Sequence, residues 1–63
     1  MNISKLKGVM AEKGDRQIDL AKYLGVAINT MRNKLSGKTE FKVDELQKIA
    51  HRYNKPLEYF FEK

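Results

Sequence analysis

The stretch that decides the fold is residues 17–37, QIDLAKYLGVAINTMRNKLSG. Its first part predicts a helix with one apolar face, formed by Leu20, Ala21 and Leu24. Gly25 follows at once, and glycine most easily takes the left-handed conformation that ends many helices. Met31 and Leu35 lie four residues apart, which predicts a second helix with its own apolar side. The stretch therefore predicts two short helices joined by a tight turn.

The turn between these helices has one bulky apolar residue, Val26, which can fill the angle between them. Two helices joined in this way form a helix-turn-helix, whose second helix enters the major groove of DNA. We therefore predict a recognition helix over about residues 28–36.

A helical wheel shows which side of this second helix is buried. At about 100° per residue, Ala27 and Leu35 lie within about 40° of Met31, which we take as the inward direction. Ile28 and Lys34 lie a little further round the same side. The inner side is thus mostly apolar.

The opposite side of the helix is polar and carries no carboxylate. Asn29 and Asn33 lie about 160° from Met31, and Arg32 and Ser36 stand beside them. Asn can form two hydrogen bonds with adenine, and Arg can form two with guanine. A merely solvated face is the alternative, but exposed helices more often mix Glu with Lys for pairing across one turn. The pattern favours base recognition in DNA.

The charge of the chain is unevenly distributed. Its formal net charge is +5 and its isoelectric point is about 9.6. No acidic residue lies between Asp19 and Glu40, whereas four bases do: Lys22, Arg32, Lys34 and Lys38. From Glu40 to Lys63, five acids offset five bases. The positive segment coincides with the two-helix motif, which points to a polyanionic partner.

Length and composition exclude several classes of protein. With 63 residues, we expect one domain over residues 1–63. The chain has no Cys and only one His, His51, so we predict neither a metal site nor a cofactor, and no small-molecule ligand site is evident. Only Ser4 and Ser36 are serines, and no paired carboxylates lie on a plausible concave face, so we predict no enzyme. No apolar run reaches membrane-spanning length and no signal peptide is present, so we expect a cytoplasmic protein without membrane association.

Residues on either side of the recognition helix are candidates for phosphate contacts. Gln17 lies in the first turn of its helix, where its amide and the backbone N–H groups could hold a phosphate, although a solvated amide is an equal alternative. Lys38 and Thr39 follow the recognition helix and could bind the sugar-phosphate backbone. We predict that Asp15 caps the helix that contains Gln17. Ala27, at the start of the recognition helix, offers no side-chain acceptor for capping.

Further helices are predicted on both sides of this motif. Asn2 or Ser4 can cap a first helix, whose inner stripe is Ile3, Leu6, Val9 and Met10. A fourth helix from about Val43 to Tyr53 carries its stripe at Val43, Leu46, Ile49, Ala50 and Tyr53. Pro56 breaks the chain before a last helical turn over residues 57–61. We therefore predict an all-α fold of five helices.

Aromatic residues are concentrated at the end of the sequence, at Tyr59, Phe60 and Phe61. We expect Leu57 and one Phe to cover the core. The remaining aromatic side chains either complete that core or form an exposed patch through which two copies associate. Both interpretations remain open from the sequence.

Taken together, these motifs resemble the Cro and repressor type (XRE-like) of helix-turn-helix, a family of phage and bacterial regulators. The match consists of Gln17-x-x-Leu20-Ala21-x-x-Leu24-Gly25-Val26, Thr30-Met31 and Ser36-Gly37-Lys38. Residues 34–41 and 59–61 look like the short phage Cro-like regulators. The resemblance implies a compact five-helix, lambda-repressor-like DNA-binding domain with the motif at helices 2 and 3.

The family resemblance also implies a function and a set of site residues. It implies a transcriptional regulator, expected to be a repressor, that binds as a homodimer to a double-stranded DNA operator with two-fold symmetry, in the bacterial cytoplasm or a phage-infected cell. The base-reading residues it implies are Ile28, Asn29, Arg32 and Asn33. The phosphate-binding residues it implies are Gln17, Ser36, Lys38 and Thr39.

Two positions depart from the family pattern. Ala27 stands where Ser or Thr is common, and Ile28 stands where a polar base-reading residue is common. Ile28 either contacts a thymine methyl group or packs inside the domain. Longer repressors of this family carry a second domain; if this sequence is complete, we expect a small regulator whose occupancy follows its concentration.

A protein-interaction module of antitoxin or antirepressor type is the alternative function. It would use the aromatic C-terminus, so that Tyr59, Phe60 and Phe61 would matter more than Asn29 and Asn33. RNA binding is less favoured, because the aromatic residues belong to apolar stripes of helices and not to a stacking platform on a sheet.

Overall fold

The computed structural model describes residues 1–62, and within them the chain forms four α-helices and a short 3-10 helix. Their bounds are α1 Ile3–Glu12, α2 Gln17–Leu24, α3 Ile28–Leu35, α4 Val43–Arg52 and the 3-10 helix Leu57–Phe61. No strand is present in the described part of the chain. The predicted all-α class is confirmed. Lys63, the last residue of the predicted domain, lies outside the described residues.

The expected fifth helix is the one element that is not an α-helix. Residues 57–61 form a 3-10 helix, in which the Tyr59 N–H donates to the Pro56 carbonyl oxygen three residues earlier at 3.0 Å. This segment has only five residues, which is typical of the short runs in which 3-10 helices occur. The count of five helices is therefore slightly off, because only four are α-helices, but the last helical turn lies at the expected residues.

A single apolar core joins the five elements. Each element contributes a side chain with no exposed surface: Leu6, Leu20, Met31, Ile49 and Phe60. The 3-10 helix closes this core against the start of the chain, because the Asn2 N–H donates to the Phe60 carbonyl oxygen at 2.6 Å. The predicted inner stripes are therefore buried in their central parts. Val43, predicted to point inward, is instead 68% exposed, because none of the described residues covers the first residue of α4.

The turn between α2 and α3 has the predicted form. Gly25 ends α2 with a φ of +74°, the left-handed conformation that glycine adopts without a side-chain clash. The Val26 N–H donates to the Ala21 carbonyl oxygen at 3.0 Å, which closes the end of the helix. Val26 and Ile28 are partly buried and pack against the core. The turn therefore fixes the angle at which α3 leaves α2.

Helix caps agree with the sequence at α1 but not at α2. Asn2 caps α1, and its Oδ1 accepts a hydrogen bond from the Lys5 N–H at 3.1 Å. The prediction that Asp15 caps α2 is wrong: Arg16 is the N-cap residue, and its N–H donates to Asp19 Oδ2 at 3.0 Å. Asp15 is engaged elsewhere by charged donors, which form stronger hydrogen bonds than a neutral backbone N–H.

Asp15 links the α1–α2 connection to the end of α4. Its carboxylate accepts two hydrogen bonds from the Arg52 guanidinium, both at 2.8 Å, and one from the Tyr53 hydroxyl at 2.6 Å. The same guanidinium lies 4.8 Å from the ring centre of Tyr23 on α2. The Arg52 hydrogen bonds, helped by that of Tyr53 and opposed by burial, lower the pKa of Asp15 below its ordinary value of 3.8. This network thus ties α2 to α4.

We expect Asp15→Asn to lower the free energy of unfolding by about 1.5–3 kcal/mol at pH 7, as for a hydrogen bond to a charged group. Because the pKa of Asp15 is lower in the folded protein, its contribution is complete above the ordinary value of 3.8 and is lost as the pH falls through the folded pKa. Urea unfolding from pH 7 to pH 2.5 measures this. The exposed Asp44→Asn is the control, and an equal, pH-independent loss in both variants would contradict the assignment.

Candidate nucleic-acid interface

The outer side of α3 is a continuous polar surface. Asn29, Arg32 and Asn33 are exposed, whereas Met31 and Leu35 on the opposite side are buried. The Arg32 Nη1 lies 3.5 Å from Asn29 Oδ1, so these two side chains are neighbours across one turn. The structure thus brings three of the four predicted base-reading residues together on one surface.

Ile28, the fourth predicted base-reading residue, differs from the other three. Its side chain is half-buried and packs against the core at the first position of α3. It therefore has a packing role, and only part of its surface is open to solvent. Ala27 is the N-cap residue of α3 and makes no side-chain capping bond, as the sequence predicts.

The predicted phosphate-binding residues lie at the two ends of the helix-turn-helix. Gln17 is exposed at the first position of α2. Ser36, Lys38 and Thr39 are exposed and follow α3 directly. The structure therefore places one candidate at the start of α2 and three just after α3.

The loop after α3 folds back onto the end of that helix. Gly37 has a φ of +83°, and the N–H groups of Lys38 and Thr39 both donate to the Asn33 carbonyl oxygen, at 2.9 and 3.3 Å. The Ser36 hydroxyl donates to the same oxygen at 3.0 Å. The backbone of Asn33 thus holds the loop, while its side chain remains on the outer surface.

Lys34 lies on α3 but is not part of the exposed basic surface. Its side chain is only 4% exposed, and its Nζ is 2.8 Å from Glu45 Oε1 on α4. The same Nζ donates to the Glu40 carbonyl oxygen at 3.2 Å and lies 5.6 Å from the ring centre of Phe41. The wheel placed Lys34 towards the inner side of α3, but its partner is 11 residues away in another helix. Sequence spacing could not have shown this pair.

Glu45 is held by two donors. It accepts from Lys34 Nζ and, at 2.8 Å, from the Lys42 N–H, so it also caps the start of α4. Burial alone would raise the pKa of Glu45, but the hydrogen bonds from Lys34 and Lys42 outweigh that effect and lower the pKa. The Glu45 carboxylate therefore stays charged although its side chain has little solvent exposure.

The aromatic C-terminus is divided between the core and the surface. Phe60 is fully buried, because the 3-10 helix turns its side chain into the core, so it is not part of an exposed patch. Tyr59 is half-buried, with Lys5 and Lys55 ammonium groups 4.7 and 4.9 Å from its ring centre. Phe61 is 51% exposed. One Phe in the core agrees with the sequence-based expectation.

Within residues 1–62, the chain shows no cluster of three potential metal-ligating side chains, and His51 is exposed. None of the helices described is long and apolar enough to cross a membrane.

On α3, a buried inner side and a polar outer side follow a glycine turn, as in a helix-turn-helix. A comparison with known families gives the same result. A family model described as "Helix-turn-helix" matches residues 6–60. The chain belongs to the Cro/XRE-type helix-turn-helix family. Helix-turn-helix proteins of this type are DNA-binding transcription regulators, and double-stranded DNA is the partner that the family implies. No curated protein and no solved structure matches the chain.

We expect Lys34→Met to destabilise this helix-turn-helix domain by about 3–5 kcal/mol, because it leaves a buried carboxylate without its cation. The double variant Lys34→Met/Glu45→Leu removes both charges and should regain most of that loss. Thermal or urea unfolding of the two variants beside the parent chain measures the difference. An equal loss of unfolding free energy in the single and the double variant would contradict this explanation, because the unpaired carboxylate would then not be the cause of the destabilisation.

Proposed function

We propose that this helix-turn-helix protein is a sequence-specific transcriptional repressor of the Cro-like kind, with α3 in the major groove of a two-fold symmetric operator. The observation that carries the proposal is the outer surface of α3. Asn29, Arg32 and Asn33 are exposed there together, without a carboxylate, on a helix whose other side is fixed in the core. Rigid presentation of base-reading side chains is what sequence recognition requires.

Each residue of this surface has a chemical role in the proposal. Asn29 and Asn33 can each form two hydrogen bonds with adenine, and Arg32 can form two with guanine. The exposed part of Ile28 offers an apolar contact for a thymine methyl group. We therefore expect adenine at the positions that the two Asn side chains contact.

Phosphate contacts would hold the recognition helix in the groove. Gln17 lies at the start of α2, and Ser36, Lys38 and Thr39 follow α3, so contacts from both places would hold the protein on the DNA backbone on either side of α3. Such contacts set position and affinity but do not distinguish sequences. Their number sets how steeply binding falls with salt.

A homodimer would match the two-fold symmetry of the proposed operator. Phe61 and Val43 are the most exposed large apolar residues of the described chain, and Tyr59 is half-exposed beside Phe61. We propose Tyr59 and Phe61 as the dimer contact, without Phe60. A phage or prophage origin, and action in the bacterial cytoplasm on the nucleoid, complete the proposal.

The alternative is a protein-interaction module of antitoxin or antirepressor type. The exposure of Phe61 favours it, because an apolar side chain on the surface of so small a domain suits a partner. The carboxylate-free surface of α3 has no role in this alternative. We therefore place DNA recognition first.

Selection of duplexes from a random pool by the purified protein tests the proposal. We expect an inverted repeat whose half-sites lie about one helical turn apart, which would establish a dimeric regulator and define its operator together. Sequence-blind, salt-sensitive binding alone would contradict base recognition and would favour the protein-interaction alternative.

Substitutions can separate base contacts from phosphate contacts. We expect Asn33→Ala to cost about 1–3 kcal/mol of binding free energy on the operator and to relax the preference at one base position. Lys38→Ala should instead weaken binding to all sequences alike and reduce the salt slope by about 1. Binding titrations at several salt concentrations measure both effects, with the exposed Lys13→Ala at the end of α1 as a charge-matched control. A uniform loss for Asn33→Ala, or an unchanged salt slope for Lys38→Ala, would remove that residue from its class.

A further inference from the structure

The loop between α3 and α4 is held at both of its ends. At the α3 end, Lys38 and Thr39 donate their N–H groups to the Asn33 carbonyl oxygen. At the α4 end, Lys34 Nζ binds the Glu40 carbonyl oxygen and Glu45 binds the Lys42 N–H. The segment that carries Lys38 and Thr39 therefore runs between two anchored points.

The second anchor depends on one ion pair. Lys34 Nζ and Glu45 Oε1 are 2.8 Å apart, and the two side chains are only 4% and 9% exposed. Each member of the pair also forms a hydrogen bond with the loop backbone: Lys34 donates to the Glu40 carbonyl oxygen, and Glu45 accepts from the Lys42 N–H. The ring of Phe41, between these two loop residues, lies next to the Lys34 ammonium group. The pair thus fixes three consecutive residues of the loop at once.

The Lys34 ammonium group is not accessible to a DNA phosphate. Its ammonium group already binds Glu45 and the Glu40 carbonyl oxygen inside the protein, and almost none of its surface is open. A phosphate could reach it only if the pair separated, which would leave a carboxylate charge buried alone. Lys38, by contrast, is exposed on this loop.

We propose that Lys34 and Glu45 are positioning residues that hold the loop in the conformation in which Lys38 and Thr39 contact DNA phosphates. This inference rests on the proposed function for the phosphate contacts, but the effect of the pair on the loop is a property of the free protein. A loop that is ordered before binding loses less conformational entropy on the DNA. The buried pair therefore acts on DNA affinity through Lys38 and not by direct contact.

The test compares Lys34→Met/Glu45→Leu with the parent chain, each with and without Lys38→Ala. This double variant keeps the net charge, and it replaces two buried charged side chains by apolar ones of similar size. A control, Lys5→Gln/Glu62→Gln, removes the 2.8 Å ion pair that joins α1 to the end of the described chain, also without a change in net charge. Far-UV circular dichroism verifies folding at the temperature of the measurements.

Two readouts are measured on these folded proteins. Amide hydrogen exchange at Lys38 and Thr39 reports the order of the loop without DNA. The salt dependence of binding to a random-sequence duplex reports the phosphate contacts without any need for an operator. In the double variant we expect exchange at both amides to be faster by on the order of tenfold, and the salt slope to fall by about 1. The control should change neither.

The combination with Lys38→Ala decides the mechanism. If the pair acts through Lys38, then Lys38→Ala causes no further fall in salt slope in the double variant, so the two effects are not additive. Additive falls would overturn the proposal in favour of direct phosphate contact by Lys34. Unchanged exchange and unchanged slope would overturn it in favour of a role in folding alone.

Two further outcomes are distinguishable. If the parent chain shows no salt-dependent DNA binding, the proposed function fails, while amide exchange still decides whether the pair orders the loop. If Lys34→Met/Glu45→Leu does not fold, Lys34→Gln/Glu45→Gln serves as the milder variant, because it also keeps the net charge and the amide oxygen at position 45 still accepts from the Lys42 N–H. It should shift exchange and slope in the same direction by a smaller amount, and no shift would overturn the proposal.

Discussion

The burial of Met31 is the constraint on which the rest of this structure depends. A chain of 63 residues without Cys has no disulfide to stabilise it, so its helices must share one apolar core. Met31 fills that core from the inner side of α3 and has no exposed surface. Because 3.6 residues make one helical turn, fixing Met31 inside also fixes Asn29 and Asn33 on the outside. The packing that buries Met31 therefore also places the candidate base-reading residues on the exposed side of α3.

Two polar networks complete the packing at opposite ends of α4. At the C-terminal end of α4, Arg52 and Tyr53 bind Asp15. Near the N-terminal end of α4, Glu45 binds Lys34. Charged pairs taken out of water gain little net stability over well-packed apolar groups, but each is costly to break on one side only. Their directional hydrogen bonds specify how α4 sits against the α1–α2 connection and the α3–α4 loop.

The sequence predicted the elements of the fold because local rules governed them. Gly25 marked the end of α2, Asn2 the start of α1, and the periodic apolar residues the inner stripes, all of which depend on neighbours within about one turn. Prediction failed where distant residues competed for the same group. Asp15 was expected to cap α2, but the guanidinium of Arg52, 37 residues further on, provides the stronger donors. Residues 57–61 were expected to form a last helical turn, and this short segment does so as a 3-10 helix.

The sequence by itself determined the all-α class, the turn at Gly25 and the polar outer side of α3, because each follows from residue type and helical period. Only the tertiary structure decided which charges are free. Lys34 and Lys38 are equally basic in the sequence, but one is buried against Glu45 and the other is exposed. It also decided that Phe60 belongs to the core and Phe61 to the surface. The physical reason is the same in both cases: burial and ion pairing depend on contacts between helices, and the spacing of residues along a chain does not encode those contacts directly.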